Sequence, residues 1–404
     1  VINPSDITEI AGRNINYLNY VVSDTVLYIF LANRKKTQLF TIPVDSGFFD
    51  DIRQFRTLLS MPMNDARSNF IRYTTIGNRL YNIIIEPVRE HLISNKLLIS
   101  PDNILSYIPF EAIPVRQDPG ENILFSDVPY MMRHFSISYT YSATLLAESL
   151  KKNYSLTNSL IAFAPIYTGR INVDSILNVR QERVSTLYDL KFARTEAEYV
   201  AELTGGRLFI NNMAKESVYK NEAAGYDIIH LAMHTILNDK DPMHSKMLFY
   251  QENDSIEDGN LNTYEVYGVP LKAKMVILSS CNTGNGILHS GEGILSLARG
   301  FVYSGSQSVV MSMWEIEDRS GAEIVKSYYR YLKRGASKSN ALRKARISYL
   351  ENSDMLRSHP YFWSSLVIYG NNDPLYYSAK FAIIIGSIVL IIFGVLFFLY
   401  RKLR

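Results

Sequence analysis

The sequence predicts an α/β protein built on a mostly parallel sheet, with a mixed α+β region ahead of it. From about Ser159 onward, short and almost wholly apolar runs alternate with amphipathic stretches of helical length. That is the pattern of parallel strands joined by helical crossovers, with both sheet faces covered. Before that point, strand-like and helix-like segments follow one another without regular alternation. A third feature stands apart: Phe381 to Tyr400 is a run of twenty residues without a charge.

In the first region, DTVLYIFLANRKKTQLFTI (24–42) places two strand-like runs around a polar turn and predicts a hairpin. FFDDIRQFRTLLSM repeats apolar residues at three and four and predicts an amphipathic helix, as does GNRLYNIIIEPVREHL. KLLISPDNILSYIPFEAIP (96–114) predicts a strand, a Pro-Asp turn and a second strand. In the second region, SLIAFAP, RLFI, YDIIHLAMH, KMVILSSC, SVVMSMW and WSSLVIYG predict strands. ARTEAEYVAELTG predicts a helix, with Thr195 as its cap, Glu198 three residues on and Gly205 as its stop. MAKESVYKNEAAG, GEGILSLARGFVYSG, SGAEIVKSYYRYLKRG and SKSNALRKARISYLEN predict further helices. No internal repeat of about 20–50 residues is visible.

Composition narrows the function classes. The net charge is +3, and no Lys/Arg stripe with interleaved aromatics occurs, so nucleic acid is not an expected partner. Cys281 is the single cysteine of the chain. An intrachain disulfide and a metal site built from several thiolates are thereby excluded, which fits a reducing compartment. No GxGxxG follows a strand-like run, and no cofactor is expected. The chain starts at Val1 rather than Met, which leaves room for an upstream signal or partner domain.

As a helix, 381–400 would span roughly 30 Å, the hydrocarbon thickness of a bilayer. Lys380 precedes it, RKLR follows it, and Tyr376, Tyr377 and Tyr400 sit where interfacial rings belong. The sequence therefore predicts a single-pass membrane protein with one C-terminal transmembrane helix. Its orientation stays open between a cytoplasmic RKLR tail and a tail anchor with the enzyme in the cytoplasm.

Chemistry is expected at two strand ends. His234 closes YDIIHLAMH and Cys281 closes KMVILSSC, 47 positions apart. In open parallel sheets, ligands gather outside the carboxyl ends of strands. If the two strands are neighbours, both side chains rise from one edge. A thiolate is a nucleophile, and a nearby imidazole can generate it and later protonate a leaving amine. The glycines of CNTGNG allow close backbone approach, and the amides of Cys281 and of residues after His234 face a developing oxyanion. The bland readings are a buried small filler for Cys281 and structural roles for His234 and His230. A zinc site from His230, His234, His244 and Cys281 matches no familiar spacing, and HLAMH lacks the glutamate of HExxH.

At these residues the sequence resembles a known family. DIIHLAMHTILNDKDPMHSKMLF, NLNTYEVYGVPLKAKMVILSSCNTGNG, GEGILSLARGFVYSGSQSVVMSMWEIEDRSGAEIVKSYYRYL and HPYFWSSLVIYGNNDP together resemble a CHAT domain, as do the upstream LLISPDNILSYIPFEAIP, FSISYTYSATLL and DLKFARTEAEYVAELTGG. The resemblance runs from about Leu97 to Pro374. It implies a caspase-like, separase-related cysteine peptidase, often fused to TPR repeats. The implied architecture is a caspase-like parallel-sheet α/β/α sandwich over 158–374, preceded by an α+β pseudo-caspase-like subdomain over 1–157.

The family's H-x-A-T-H-G and L-S-A-C-x-T-G motifs place the catalytic residues at His234 and Cys281, with oxyanion amides at Thr235 and Cys281. Met233, Thr235 and Ser280 depart from those motifs, and the β-branched Thr235 narrows the expected cleft. In separase-like relatives an acidic residue after the next core strand accepts a basic P1 side chain. MWEIEDRSG lies there, which makes Glu315 and Asp318 candidates for an S1 pocket. The competing reading of Asp318 is the cap of the helix that follows. Trp314 and Trp363 are expected to be packing residues, and Glu292 to open a helix.

These residues predict a membrane-anchored cysteine endopeptidase acting on protein substrates in signalling or regulated cell death, with upstream TPR or other regulatory partners. The alternative is a non-catalytic caspase-like scaffold tethered to the membrane. An acyl hydrolase using the same dyad on a non-peptide carbonyl is a third reading.

Overall fold

The computed structural model of the chain describes residues 14–61, 66–117, 124–151, 157–167, 189–236, 238, 241–251, 257–279, 288–289, 293–294, 297–315 and 317–376. In chain order the strands are β1 (Asn16–Val22), β2 (Val26–Ala32), β3 (Thr37–Pro43), β4 (Lys96–Ser100), β5 (Ser136–Tyr139), β6 (Leu160–Ala164), β7 (Arg207–Ile210) and β8 (Ile228–Leu231). They continue with β9 (Thr235–Ile236), β10 (Lys246–Leu248), β11 (Asn260–Asn262), β12 (Met275–Leu278), β13 (Leu288–His289), β14 (Gly293–Ile294), β15 (Ser308–Ser312) and β16 (Leu366–Gly370).

An 11-stranded sheet runs in the order β3-β2-β1-β4-β5-β16-β15-β12-β8-β6-β7. Within it, β7, β6, β8, β12 and β15 are mutually parallel. So are β16, β5, β4 and β1. The two sets meet antiparallel at β15–β16. Their carboxyl ends therefore lie on opposite edges of one continuous sheet.

Burial follows from this layering. β6, β8, β12 and β15 are buried at every residue, as strands covered on both faces must be. The edge strand β3 alternates exposed and half-buried residues. The predicted hairpin is present as β2–β3, paired from Val26–Pro43 to Ala32–Thr37.

The helices that matter here are α1 (Ser46–Ser60), α2 (Ala66–Ile84), α3 (Lys191–Thr204), α4 (Glu216–Glu222), α5 (Thr263–Gly268), α6 (Leu297–Tyr303), α7 (Asp318–Lys333) and α8 (Lys338–Glu351). α1 starts where Asp45 accepts the Phe48 N–H, and it buries Phe48, Ile52, Phe55 and Leu59 along one stripe. α3 stops at Gly205, whose φ of 69° is left-handed and costs a glycine little. One continuous apolar core reaches from Leu18 to Leu375. The division expected at 157/158 falls between β5 and β6, which lie in the same sheet, and β16 is inserted between β5 and β15.

Several expectations are corrected. Among the described residues, no helix is long and apolar enough to cross a membrane, which overturns the single-pass membrane protein. The longest of them, α2, carries Arg67, Arg72 and Arg79 and buries only one face. The stretch 381–400, on which that expectation rested, lies outside the described residues. The second strand expected in 96–114 is absent. After β4 come two 3₁₀ turns, Asn103–Tyr107 and Phe110–Ala112, because Pro109 and Pro114 have no N–H to give a ladder.

Thr195 does not cap α3. The helix begins a turn earlier, and the Thr195 hydroxyl donates to the Phe192 carbonyl at 3.0 Å. Finally, β16 runs antiparallel to β15. A single crossover helix returns the chain for a parallel strand. Here two helices, α7 and α8, are joined by a tight turn in which Gly335 takes φ 83°, and the second helix reverses the direction once more.

Candidate active site

β8, β12 and β15 lie side by side and parallel, so their carboxyl ends leave the sheet at one edge. His234 sits three residues past the end of β8. Cys281 follows the end of β12 by three residues and lies outside the described residues, as does Glu292. β15 leads into Met313, Trp314 and Glu315. β12, the strand that precedes Cys281, is thus flanked by the strand that leads to His234 on one side and by the strand that leads to Glu315 on the other.

His234 is held by a residue that sequence reasoning passed over. Tyr167, just past β6, accepts the His234 N–H at 3.0 Å and donates to the Leu248 carbonyl at 2.8 Å. Its ring packs against the imidazole with centroids 4.7 Å apart. Leu248 N–H in turn donates to the His234 carbonyl at 2.9 Å. The histidine backbone is therefore fixed on both sides, and the residue is only 8% exposed. The available signal was positional: SLIAFAPIY puts an aromatic hydroxyl at the carboxyl end of the strand beside β8. Thr235 lies in β9 opposite Met247, and its hydroxyl oxygen is buried without a hydrogen-bond partner.

Glu315 is exposed. Glu317, not Asp318, caps α7 by accepting the Ser320 N–H at 2.7 Å. Asp318 is the first helical residue, and its Oδ2 accepts the Phe192 N–H at 2.9 Å. It thereby supplies from α7 the cap that α3's own N-cap residue, Leu190, does not. Burial pushes the Asp318 carboxyl upward. The Phe192 amide opposes this, Glu196 and Glu317 add to it, and the charge of His234 pulls it back. Asp318 thus stands within electrostatic reach of His234.

His230 points away from this edge. It is fully buried, with Nε2 3.0 Å from Glu196 Oε1 in a contact not aligned as a hydrogen bond, and Nδ1 3.5 Å from the Tyr329 hydroxyl. His244 is exposed and pairs with Asp241 at 2.7 Å. The described histidines do not converge on a metal site. Among the described residues, the carboxylates of Glu216, Glu257 and Glu265 approach metal-binding spacing, but the Lys220 ammonium occupies their centre at 2.8, 2.6 and 2.7 Å. Trp314 and Trp363 are buried packing residues, and each donates its indole N–H to a backbone carbonyl, Tyr361 and Ser358 respectively.

The CHAT domain family profile matches residues 74–371, and the chain belongs to that family. Among curated proteins it is similar to tetratricopeptide repeat protein 28 of Homo sapiens, 24% identical over 214 residues. The mouse protein of the same name is 23% identical over 214 residues. These matches take in 45% of this chain but only 8% and 9% of the relatives, so the chain spans less than a tenth of their length. Among solved structures, the Saccharomyces cerevisiae separase–securin complex is similar in fold, with a TM-score of 0.53 at 10% identity, covering 91% of this chain and 30% of that one.

Proposed function

We propose that this chain is a cysteine endopeptidase in which Cys281 attacks the peptide carbonyl and His234 takes and returns the proton. The observation that carries the reading is the three-strand edge: His234 beyond β8, Cys281 three residues beyond β12, and the Glu315–Asp318 turn beyond β15. On this reading, residues 158–374 carry the chemistry and 1–157 support it. The Thr235 and Cys281 amides receive the oxyanion. Glu315 is the S1 acid, because Asp318 already spends Oδ2 on the Phe192 amide. The preferred substrate is a protein cut after Lys or Arg. The curated relatives are tetratricopeptide repeat proteins, which supports operation beside repeats that recruit the substrate. A second reading, a non-catalytic scaffold, draws on the same relatives.

Replacing a member of a catalytic dyad is expected to lower kcat/KM by about a thousandfold or more. Cys281→Ala and His234→Ala should each do so in a fluorogenic peptide assay while leaving the urea midpoint near wild type. Full activity in either variant contradicts the dyad. A wild-type chain that cleaves no peptide and alkylates like a simple free thiol favours the scaffold. Glu315→Gln should raise KM for P1-Arg peptides while sparing an apolar P1.

A further inference from the structure

The turn that displays Glu315 is fastened to the N-terminal part of the chain by one side chain. Arg56 lies on α1, 257 positions before Met313. Its Nη2 donates to the Met313 carbonyl, and its guanidinium lies over the Trp314 ring, 4.8 Å from the centroid. The same two residues are held from the other side. Met313 N–H donates to the Ser365 carbonyl at 2.9 Å, and the Trp314 indole donates to the Tyr361 carbonyl at 3.1 Å. Glu315 follows immediately and is exposed. Beyond it, Glu317 and Asp318 anchor the start of α7 and α3.

A planar fork that hydrogen-bonds one residue and stacks on the next fixes both position and direction, which a lysine cannot reproduce. The arginine is largely desolvated, which pulls it down to about 10 from its ordinary value. The contact is thus made at a desolvation cost away from bulk water.

We propose that Arg56 is a positioning residue for substrate recognition: it holds the Met313–Trp314 backbone so that Glu315 is presented at the sheet edge where β15 ends. This makes the α1 region part of the specificity apparatus and predicts that the 158–374 region alone recognises substrate poorly. The kinetic consequence rests on the peptidase reading above; the pinning itself does not.

The test uses the whole chain with Arg56→Lys and Arg56→Ala. Amide exchange at Met313 and Trp314 should be roughly tenfold or more faster in Arg56→Ala, while the amides of α2 keep wild-type protection. KM for a P1-Arg peptide should rise roughly tenfold with kcat nearly unchanged, and Arg56→Lys should fall between. If the wild-type chain proves inactive, the peptidase reading fails and exchange alone decides the pinning. Unchanged exchange at Met313 overturns the inference. So does a uniform loss of protection across α2 and the sheet, and so does an unchanged KM in an active enzyme.

Discussion

At the scale of single residues, the position of His234 depends on the groups that hold its backbone. Tyr167 bridges the His234 N–H and the Leu248 carbonyl with one hydroxyl. Tyr167→Phe leaves a buried amide and a buried carbonyl without that partner, at a cost of about 1–3 kcal/mol. A lower urea midpoint together with a several-fold fall in kcat is expected. A change in the midpoint alone would make Tyr167 merely structural. The ends of β8 and β12 and the helix stop at Gly205 were legible because strand ends and helix stops leave local marks in sequence. Tyr167 was not, since its meaning depends on β6 lying next to β8, which no local pattern encodes. The same holds for Asp318: the sequence allowed it to cap its own helix, whereas it caps α3, 126 positions away.

At the scale of elements, alternating patterns located the strands and helices well, and prolines, paired helices and distant caps account for the misreadings. The α4–α5 contact shows how a cluster of charges behaves when buried unevenly. Burial pushes Glu216 up to about 7 against the pull of Lys220, with Glu265 and Glu257 adding to the rise. Burial also works against the Lys220 ammonium, but its close contacts with the three carboxylates outweigh that and raise it. Because the folded value of Glu216 lies above the ordinary 4.5, the protonated acid's contribution is full below about 4.5 and is lost as pH rises through about 7. Stability should therefore fall with pH across that window through this group. Glu216→Gln should flatten that part of the profile, as read by thermal unfolding at pH 5 and pH 8. An unaltered slope would show that Glu216 is ionised throughout.

At the scale of the whole molecule, a buried polar network ties α8 to the β16-β5-β4 part of the sheet. Arg346 on α8 donates to Glu111 Oε1 at 3.1 Å and to the Leu366 carbonyl, and Tyr139 of β5 donates to Glu111 Oε2 at 2.5 Å. Arg346 and Glu111 are each almost fully buried. Removing one partner strands a buried charge, so Arg346→Leu is expected to cost about 3–5 kcal/mol by urea titration, and Glu111→Leu in the same chain should recover part of it. The glutamate of FEAIP was visible in sequence, but a partner 235 positions away was not.

The sheet itself is continuous, and β8, β12 and β15 end at one of its edges, where the His234 and Glu315 segments begin. The most direct test of the peptidase account is intact-mass measurement after exposure to a P1-Arg ketone that alkylates cysteine nucleophiles. The account predicts one stoichiometric adduct, mapped to Cys281, forming far faster than with a simple thiol and lost in His234→Ala. No adduct, or an adduct whose rate is indifferent to His234→Ala, would contradict it.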